Sequence, residues 1–207
     1  MAVLHYEGSV KIEWDEPLWR VTGIRSRAPL RQGERCSSLV VGPGSECWSL
    51  CASGVANMSD NWIALIPEDP RLIPDQTRRE RARDRFAEIA PDADEIEIKV
   101  SETIQFFDCG CNFERVLCPA CRLEIPTAWW QSRMDEDYGD GFKLASYSTP
   151  CCGARCTLHE LVYEWPQGFG RFALDAMNPN IGALEDRYKA EFEEILGTKL
   201  RVIYQHI

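Results

Sequence analysis

Seven of the ten cysteines in this 207-residue chain lie between positions 109 and 156, and their spacing is that of metal ligands. Cys118-Pro-Ala-Cys121 sets two thiols on one tight turn, from which both sulfurs can approach a single ion at about 2.3 Å. Further along, Cys151-Cys152-Gly-Ala-Arg-Cys156 offers a second cluster able to close a tetrahedron. Spacing therefore gives Cys118 and Cys121 as ligands, with two more from Cys151, Cys152 and Cys156. Adjacent cysteines rarely share one ion comfortably, so the pair Cys152 and Cys156 stands level with Cys151 and Cys152. His159, three residues past Cys156, is a fifth candidate. A site made only of thiolates leaves Zn2+ no open position, so the expected cofactor is structural zinc. A Cys118–Cys121 redox pair is the rival chemistry. Cys109 and Cys111, on either side of Gly110, are too few for a second metal and read as small residues at a strand end.

Other chemistry finds little to work with. His159-Glu-Leu-Val-Tyr163 approaches the metalloprotease pattern, but Tyr163 stands where the second zinc histidine is needed. A zinc deaminase needs His-x-Glu ahead of Pro-Cys-x-x-Cys, and that order is missing. Asp135–Gly141 is acidic like a calcium loop, yet Asp140 replaces the sixth-position glycine and Ser146 the twelfth-position glutamate, so a solvated turn is expected. Neither a phosphate loop, nor a Gly-x-Gly-x-x-Gly fingerprint, nor a Gly-x-Ser-x-Gly elbow occurs. With three histidines in the chain, imidazole catalysis has few candidates.

Elements able to hold the cysteines flank them on both sides. Trp62–Ile66 is a short apolar run stopped by Pro67 and Pro70, the pattern of a buried strand. Asp75 can cap a helix to about Ala90, with Ala82, Phe86 and Ile89 as its apolar stripe and five arginines between 78 and 85 mostly off it. Glu95–Val100 alternates as a half-buried strand, and Thr103–Phe107 is a second. Thr127–Met134 reads as a short helix. Beyond the cysteines come a strand over Arg171–Ala176, a helix over Ile181–Leu196 stopped by Gly197, and a strand over Leu200–Ile207. The order strand, helix, strands, cysteine region, strand, helix, strand predicts an α+β fold: a split βαβ, ferredoxin-like sandwich interrupted by a zinc-knuckle insertion at about 109–165. Trp129, Trp130, Tyr138, Tyr147, Tyr163, Trp165 and Phe169 crowd this insertion and are expected to pack where it meets the sheet.

Residues 1–57 carry six basic and six acidic residues, so the net charge of −10 belongs to 58–207. The first segment reads as a loosely folded extension, with Met58 as the functional start; its rival is a small subdomain built on Val10–Trp14 and Leu18–Thr22. On the first reading Cys36, Cys47 and Cys51 are not ligands. No apolar run is long enough to span a bilayer and the N-terminus lacks the features of a signal peptide, so a cytoplasmic protein without a membrane partner is expected. Net negative charge disfavours nucleic acid, which is bound by neutralising phosphates, and suits a basic protein partner.

Several short motifs carry a resemblance. These are Ile66-Pro-Glu-Asp-Pro70, Asn112-Phe-Glu114 ahead of the first cysteine pair, and Pro150-Cys-Cys-Gly153. Trp165-Pro-Gln-Gly-Phe-Gly-Arg-Phe172, Asn178-Pro179 and Leu200-Arg-Val-Ile203 extend it. Over about residues 62–207 the chain resembles an uncharacterised bacterial family of small cytosolic proteins with a CPxC…PCCG pattern. The resemblance leaves out 1–57 and implies a ligand set of Cys118, Cys121, Cys151 and Cys152, because Cys156 and His159 are not part of that pattern. Some such proteins are labelled transporter ATPases, a label that the missing phosphate loop opposes; the resemblance brings no activity.

The leading expectation is a zinc-stabilised protein-interaction protein, in its concrete form an acidic immunity or antitoxin-like inhibitor of a basic protein. The alternative is an enzyme with its site where the insertion meets the sheet, near Cys152 and His159. A nucleic-acid module using the arginines at 78–85 is the third.

Overall fold

The computed structural model describes residues 60–207. The proposed extension 1–57, its rival strands, Met58, Cys36, Cys47 and Cys51 lie outside the described residues. Among the described residues nine strands and three α-helices follow one another in an α+β arrangement. Four strands build the main sheet: β1 (Asn61–Pro67), β2 (Glu95–Phe107), β8 (Gly168–Met177) and β9 (Leu200–His206). Their order across the sheet is β2-β8-β1-β9, and every neighbouring pair is antiparallel. β1 thus lies between two strands that come after it in the chain, with Ile63 facing Ala176 on one side and Tyr204 on the other.

Two helices bury their apolar sides on this sheet. In α1 (Gln76–Ile89), Asp75 starts the helix by accepting from the Arg78 amide at 3.0 Å, which satisfies one of the free first-turn N–H groups. Ala82 and Phe86 are buried as the periodicity predicts. α3 (Asp186–Leu196) ends at Gly197, whose left-handed φ of 71° lets its N–H return to the Glu193 carbonyl. Phe86 and Phe192 meet at 5.2 Å between ring centroids. Around them Ile63, Leu65, Phe172, Leu174, Ala176, Ile195, Leu196 and Leu200 complete the larger core. Arg85 grips Glu191 through both Nε and Nη2, tying the helices together at the surface.

Several boundaries differ from the sequence reading. The strands expected at 95–100 and 103–107 are one strand, β2, with a register irregularity between Val100 and Gln105. Pairing with β8 continues past the irregularity, so the local loss of alternation does not break the strand. β8 starts at Gly168 rather than Arg171, because Phe169 and Gly170 still pair with Phe106 and Gln105. α3 begins at Asp186, after the turns around Asn180 and Gly182, and not at Ile181. Among the described residues no helix is long and apolar enough to cross a membrane.

All the remaining strands lie between the end of β2 and the start of β8. They are β3 (Val116–Leu117), β4 (Glu124–Ile125), β5 (Tyr147–Ser148), β6 (Arg155–Cys156) and β7 (Val162–Tyr163), with α2 (Thr127–Asp137) among them. β4, β3 and β7 form a three-stranded sheet, and β5 pairs with β6. Aromatic packing fixes this region to the main sheet. Phe106 and Phe169, opposite each other on β2 and β8, lie 4.9 Å apart, and Trp130, Phe142 and Tyr163 surround Phe106 at 6.2–6.5 Å. The Tyr163 hydroxyl donates to the Leu158 carbonyl (2.9 Å) and accepts from Trp130 Nε1 (3.3 Å), which satisfies a polar tip in an apolar site. Of the aromatic set flagged in the sequence, Trp130, Tyr163 and Phe169 are buried at this junction, while Tyr138 and Trp165 remain exposed.

Candidate metal centre

Two tight turns build the cysteine group. After β3, the chain doubles back through Cys118–Leu123: the Cys118 amide donates to the Leu123 carbonyl (2.9 Å) and the Arg122 amide to the Cys118 carbonyl (3.0 Å). Arg122 accepts a φ of 63° to close this turn. The second turn links β5 to β6. There Thr149 and Ala154 pair through the Thr149 amide (2.8 Å), and the Gly153 amide returns to the Thr149 carbonyl (3.0 Å). Gly153 adopts φ 73°, a conformation that glycine takes without the Cβ penalty of other residues. Adjacent Cys151 and Cys152 therefore both turn toward the first loop, because the backbone reverses at Gly153.

The result is a compact cluster. The sulfurs of Cys118, Cys121, Cys151 and Cys152 all lie within 4.8 Å of one another. Cys118 and Cys152 stand 3.7 Å apart, and Cys121 and Cys151 3.3 Å. Four thiolates around Zn2+ at about 2.3 Å are separated by about 3.8 Å along each edge of the tetrahedron, so these side chains fit such an ion with little movement. All four are free cysteines.

Polar groups around the sulfurs favour thiolates. Donation from the Cys121 amide, then from the Ala120 amide and the Thr149 hydroxyl, draws the Cys118 thiol down to about 6. Thr149 lowers the Cys152 thiol too, followed by the Ala154 amide. The buried Thr149 Oγ1 sits 3.7 Å from Cys118 Sγ and 3.5 Å from Cys152 Sγ, bridging the two turns. Cys121 behaves oppositely. The Leu123 amide is its largest single influence and pulls it down, but hydrogen bonding with Cys151 and the other two thiols holds it up at about 12. Both downward shifts favour the thiolate form, and negative charge gathered at this spacing calls for a cation.

The structure separates the candidates that spacing left level. Cys151 and Cys152 join Cys118 and Cys121, as the resemblance implied. Cys156 stays outside the group: it lies on β6 opposite Tyr147, buried, with its thiol pushed up to about 11 foremost by burial. Strand alternation explains this, since pairing with Tyr147 aims the Cys156 side chain by the sheet rather than by the turn. His159 is also outside. Its Nε2 faces the Glu68 carbonyl at 2.9 Å and its Nδ1 accepts from the Phe169 amide at 3.4 Å, so both nitrogens are already used. Cys109 and Cys111 are likewise elsewhere, beside the end of β9. Gly110 between them adopts φ 59°, and a Cβ there would lie 2.2 Å from the His206 carbonyl oxygen.

One buried polar residue was missed. Asp137, expected in a solvated turn, is the last residue of α2 and only 1% exposed. Its carboxylate accepts from the amides of Lys143 (3.1 Å), Leu144 (2.7 Å) and Ala145 (2.8 Å), and from the Tyr147 hydroxyl (3.1 Å). It shapes the loop that leads into β5 and so into the second cysteine turn. Asp137-Tyr-Gly-Asp-Gly141 looks like solvated loop sequence, and nothing in it singles out the first carboxylate.

The arginines of α1 are largely neutralised in place. Arg78 pairs with Asp75, Arg83 with Asp84, and Arg85 with Glu88 and Glu191. The groove beside them, lined by Arg81 and Arg85, is lined equally by Glu80, Asp84, Glu88 and Glu191. Compared with protein families, curated proteins and solved structures, the chain matches none.

Proposed function

We propose that Cys118, Cys121, Cys151 and Cys152 hold one structural Zn2+, and that the protein is a zinc-stabilised interaction protein that meets a basic protein partner. The observation that carries this reading is the all-thiol donor set. Four sulfurs complete a tetrahedron, so the ion would join two turns far apart in sequence and offer no place to water or substrate. We read the β1-α1-β2 and β8-α3-β9 halves as a split βαβ sandwich with the cysteine region inserted between them. In that arrangement the metal makes rigid an insertion too small to have a large core of its own.

Charge supports the partner side of the reading. The chain carries −10, and three of the five arginines of α1 (Arg78, Arg83 and Arg85) are paired with neighbouring carboxylates, which weakens the nucleic-acid alternative. A four-thiol donor set weakens the form of the enzyme alternative that relies on an incompletely ligated zinc near Cys152 and His159, and both nitrogens of His159 are already engaged. An immunity or antitoxin-like inhibitor, blocking a basic protein by electrostatic complementarity, is the concrete form of the proposal.

Affinity capture with the full chain at about 50 mM and about 500 mM salt tests it, because screening at the higher concentration removes long-range attraction. A basic protein retained at low salt and released at high salt is the expected outcome. Recovery of nucleic acid, or of no salt-sensitive partner, would contradict the reading.

A further inference from the structure

β2 is an edge strand with an open side. β8 occupies one side of its backbone, and the other is met at Ile104, which bridges to Phe142; among the described residues no strand pairs with that side over 95–103. Such an edge presents unpaired N–H and C=O groups, and folded proteins blunt it with charges or bulges so that it cannot pair with arbitrary strands. β2 has both devices, the charges at Glu95, Glu97 and Lys99 and the irregularity after Val100. The order of the charges, however, leaves one pairing open.

Register with β8 sorts the side chains. Ile96 and Ile98, opposite Ala176 and Leu174, face the helices and pack on the larger core. Val100 follows them on that face but is 47% exposed, an apolar side chain that the described residues leave uncovered. Glu95, Glu97 and Lys99 alternate onto the other face, where Lys99 reaches Asp175 at 2.5 Å.

We propose that this edge pairs with the same edge of a second copy, antiparallel, about a two-fold axis through Ile98. Each Glu97 then faces the second copy's Lys99, each Val100 faces the second copy's Ile96, and Ile98 faces itself. Opposite charges directly across a strand pair are favourable and like charges unfavourable, so the two adjacent registers are penalised. An axis at Lys99 sets two lysines against each other; an axis at Glu97 sets two glutamates against each other and, although each Glu95 then faces a Lys99, carries Val100 past the start of the facing strand to Asp94. A slip by one residue turns the apolar face of one copy toward the charged face of the other. The same charges that refuse a foreign strand therefore favour this register, and the pairing joins two four-stranded sheets into one continuous sheet with α1 and α3 of both copies on one face. A single strand pair makes a small interface, so a weak dimer is expected. The inference is independent of the metal.

Sedimentation equilibrium of the full chain up to about 100 µM tests it, in a range where micromolar association is measurable. A species of twice 23.6 kDa is expected. Val100→Lys and Glu97→Lys alter exposed side chains, and each is expected to raise the dimer dissociation constant by about tenfold or more while far-UV circular dichroism stays unchanged. A wild-type chain that stays monomeric throughout, or a dimer that either variant leaves intact, would overturn the proposal.

Discussion

Cys118 Sγ lies 3.7 Å from Cys152 Sγ although 34 positions separate the two residues, and Thr149 Oγ1 lies within reach of both. That contact is the point where the two cysteine turns become one site. Everything between them, β4, α2 and the loop on Asp137, has to fold so that the two turns coincide.

Asp137 carries much of that burden. Its carboxylate collects three amides and a hydroxyl in a site closed to water. Asp137→Ala would leave three N–H groups without their charged acceptor; the Leu144 donor is buried, while Lys143 and Ala145 are exposed residues whose amides can turn to water. One orphaned buried donor costs about 1–3 kcal/mol, so a loss of about 1–3 kcal/mol in urea unfolding is expected, with weaker metal retention because the loop into β5 loses its form. A variant as stable as wild type would show that the loop holds without the carboxylate.

Gly110 is the second weak point. A side chain there meets the His206 carbonyl oxygen at 2.2 Å and forces an L-residue to φ 59°. The obstacle is backbone, which cannot rotate away. Gly110→Ala should therefore lower the melting temperature by several degrees, as strain plus displacement of β9 amounts to about 1–3 kcal/mol. Gly153→Ala, where a Cβ meets nothing within 4 Å, separates the cost of positive φ from that of collision and should be milder.

His159 gives a pH dependence. Burial foremost, and the Arg201 charge next, hold its pKa below the usual 6.5. The folded state therefore prefers the neutral ring. Its contribution to stability is complete above about pH 6.5 and is lost as pH falls through the depressed folded value. Nitrogen NMR should find the neutral ring protonated at Nε2 at pH 7, donating to the Glu68 carbonyl, and titrating below pH 6.5. A ring that titrates above pH 6.5, or one protonated at Nδ1, would contradict the hydrogen bonds seen here.

How far the chain could be read before folding depends on the kind of signal. α1 was legible from end to end, because Asp75, the stripe Ala82–Phe86 and Pro91 are all local. The buried strand runs were legible for the same reason. The one-strand nature of β2 was not, since it depends on pairing with β8 that stops at Val100 and resumes at Gln105, and pairing is a long-range property. The cysteine group shows the same division. Cys118 and Cys121 followed from spacing alone, whereas the choice among Cys151, Cys152 and Cys156 depended on where β6 begins. Once Cys156 belongs to a strand paired with Tyr147, its direction is set by the sheet, and only the two turn cysteines remain. Asp137 left no local trace at all, because its partners are amides whose positions depend on the folded loop.

The most direct test of the central claim is metal content together with thiol accessibility. The full chain and five single Cys→Ser variants, at 118, 121, 151, 152 and 156, would be purified with zinc present, dialysed, and analysed by plasma mass spectrometry and thiol titration. One tightly held zinc per wild-type chain is expected, lost from the variants at 118, 121, 151 and 152 and retained by Cys156→Ser, with four thiols protected until a chelator is added. A wild-type chain without metal, zinc retained when Cys151 or Cys152 is replaced, or zinc lost with Cys156 alone would contradict the site.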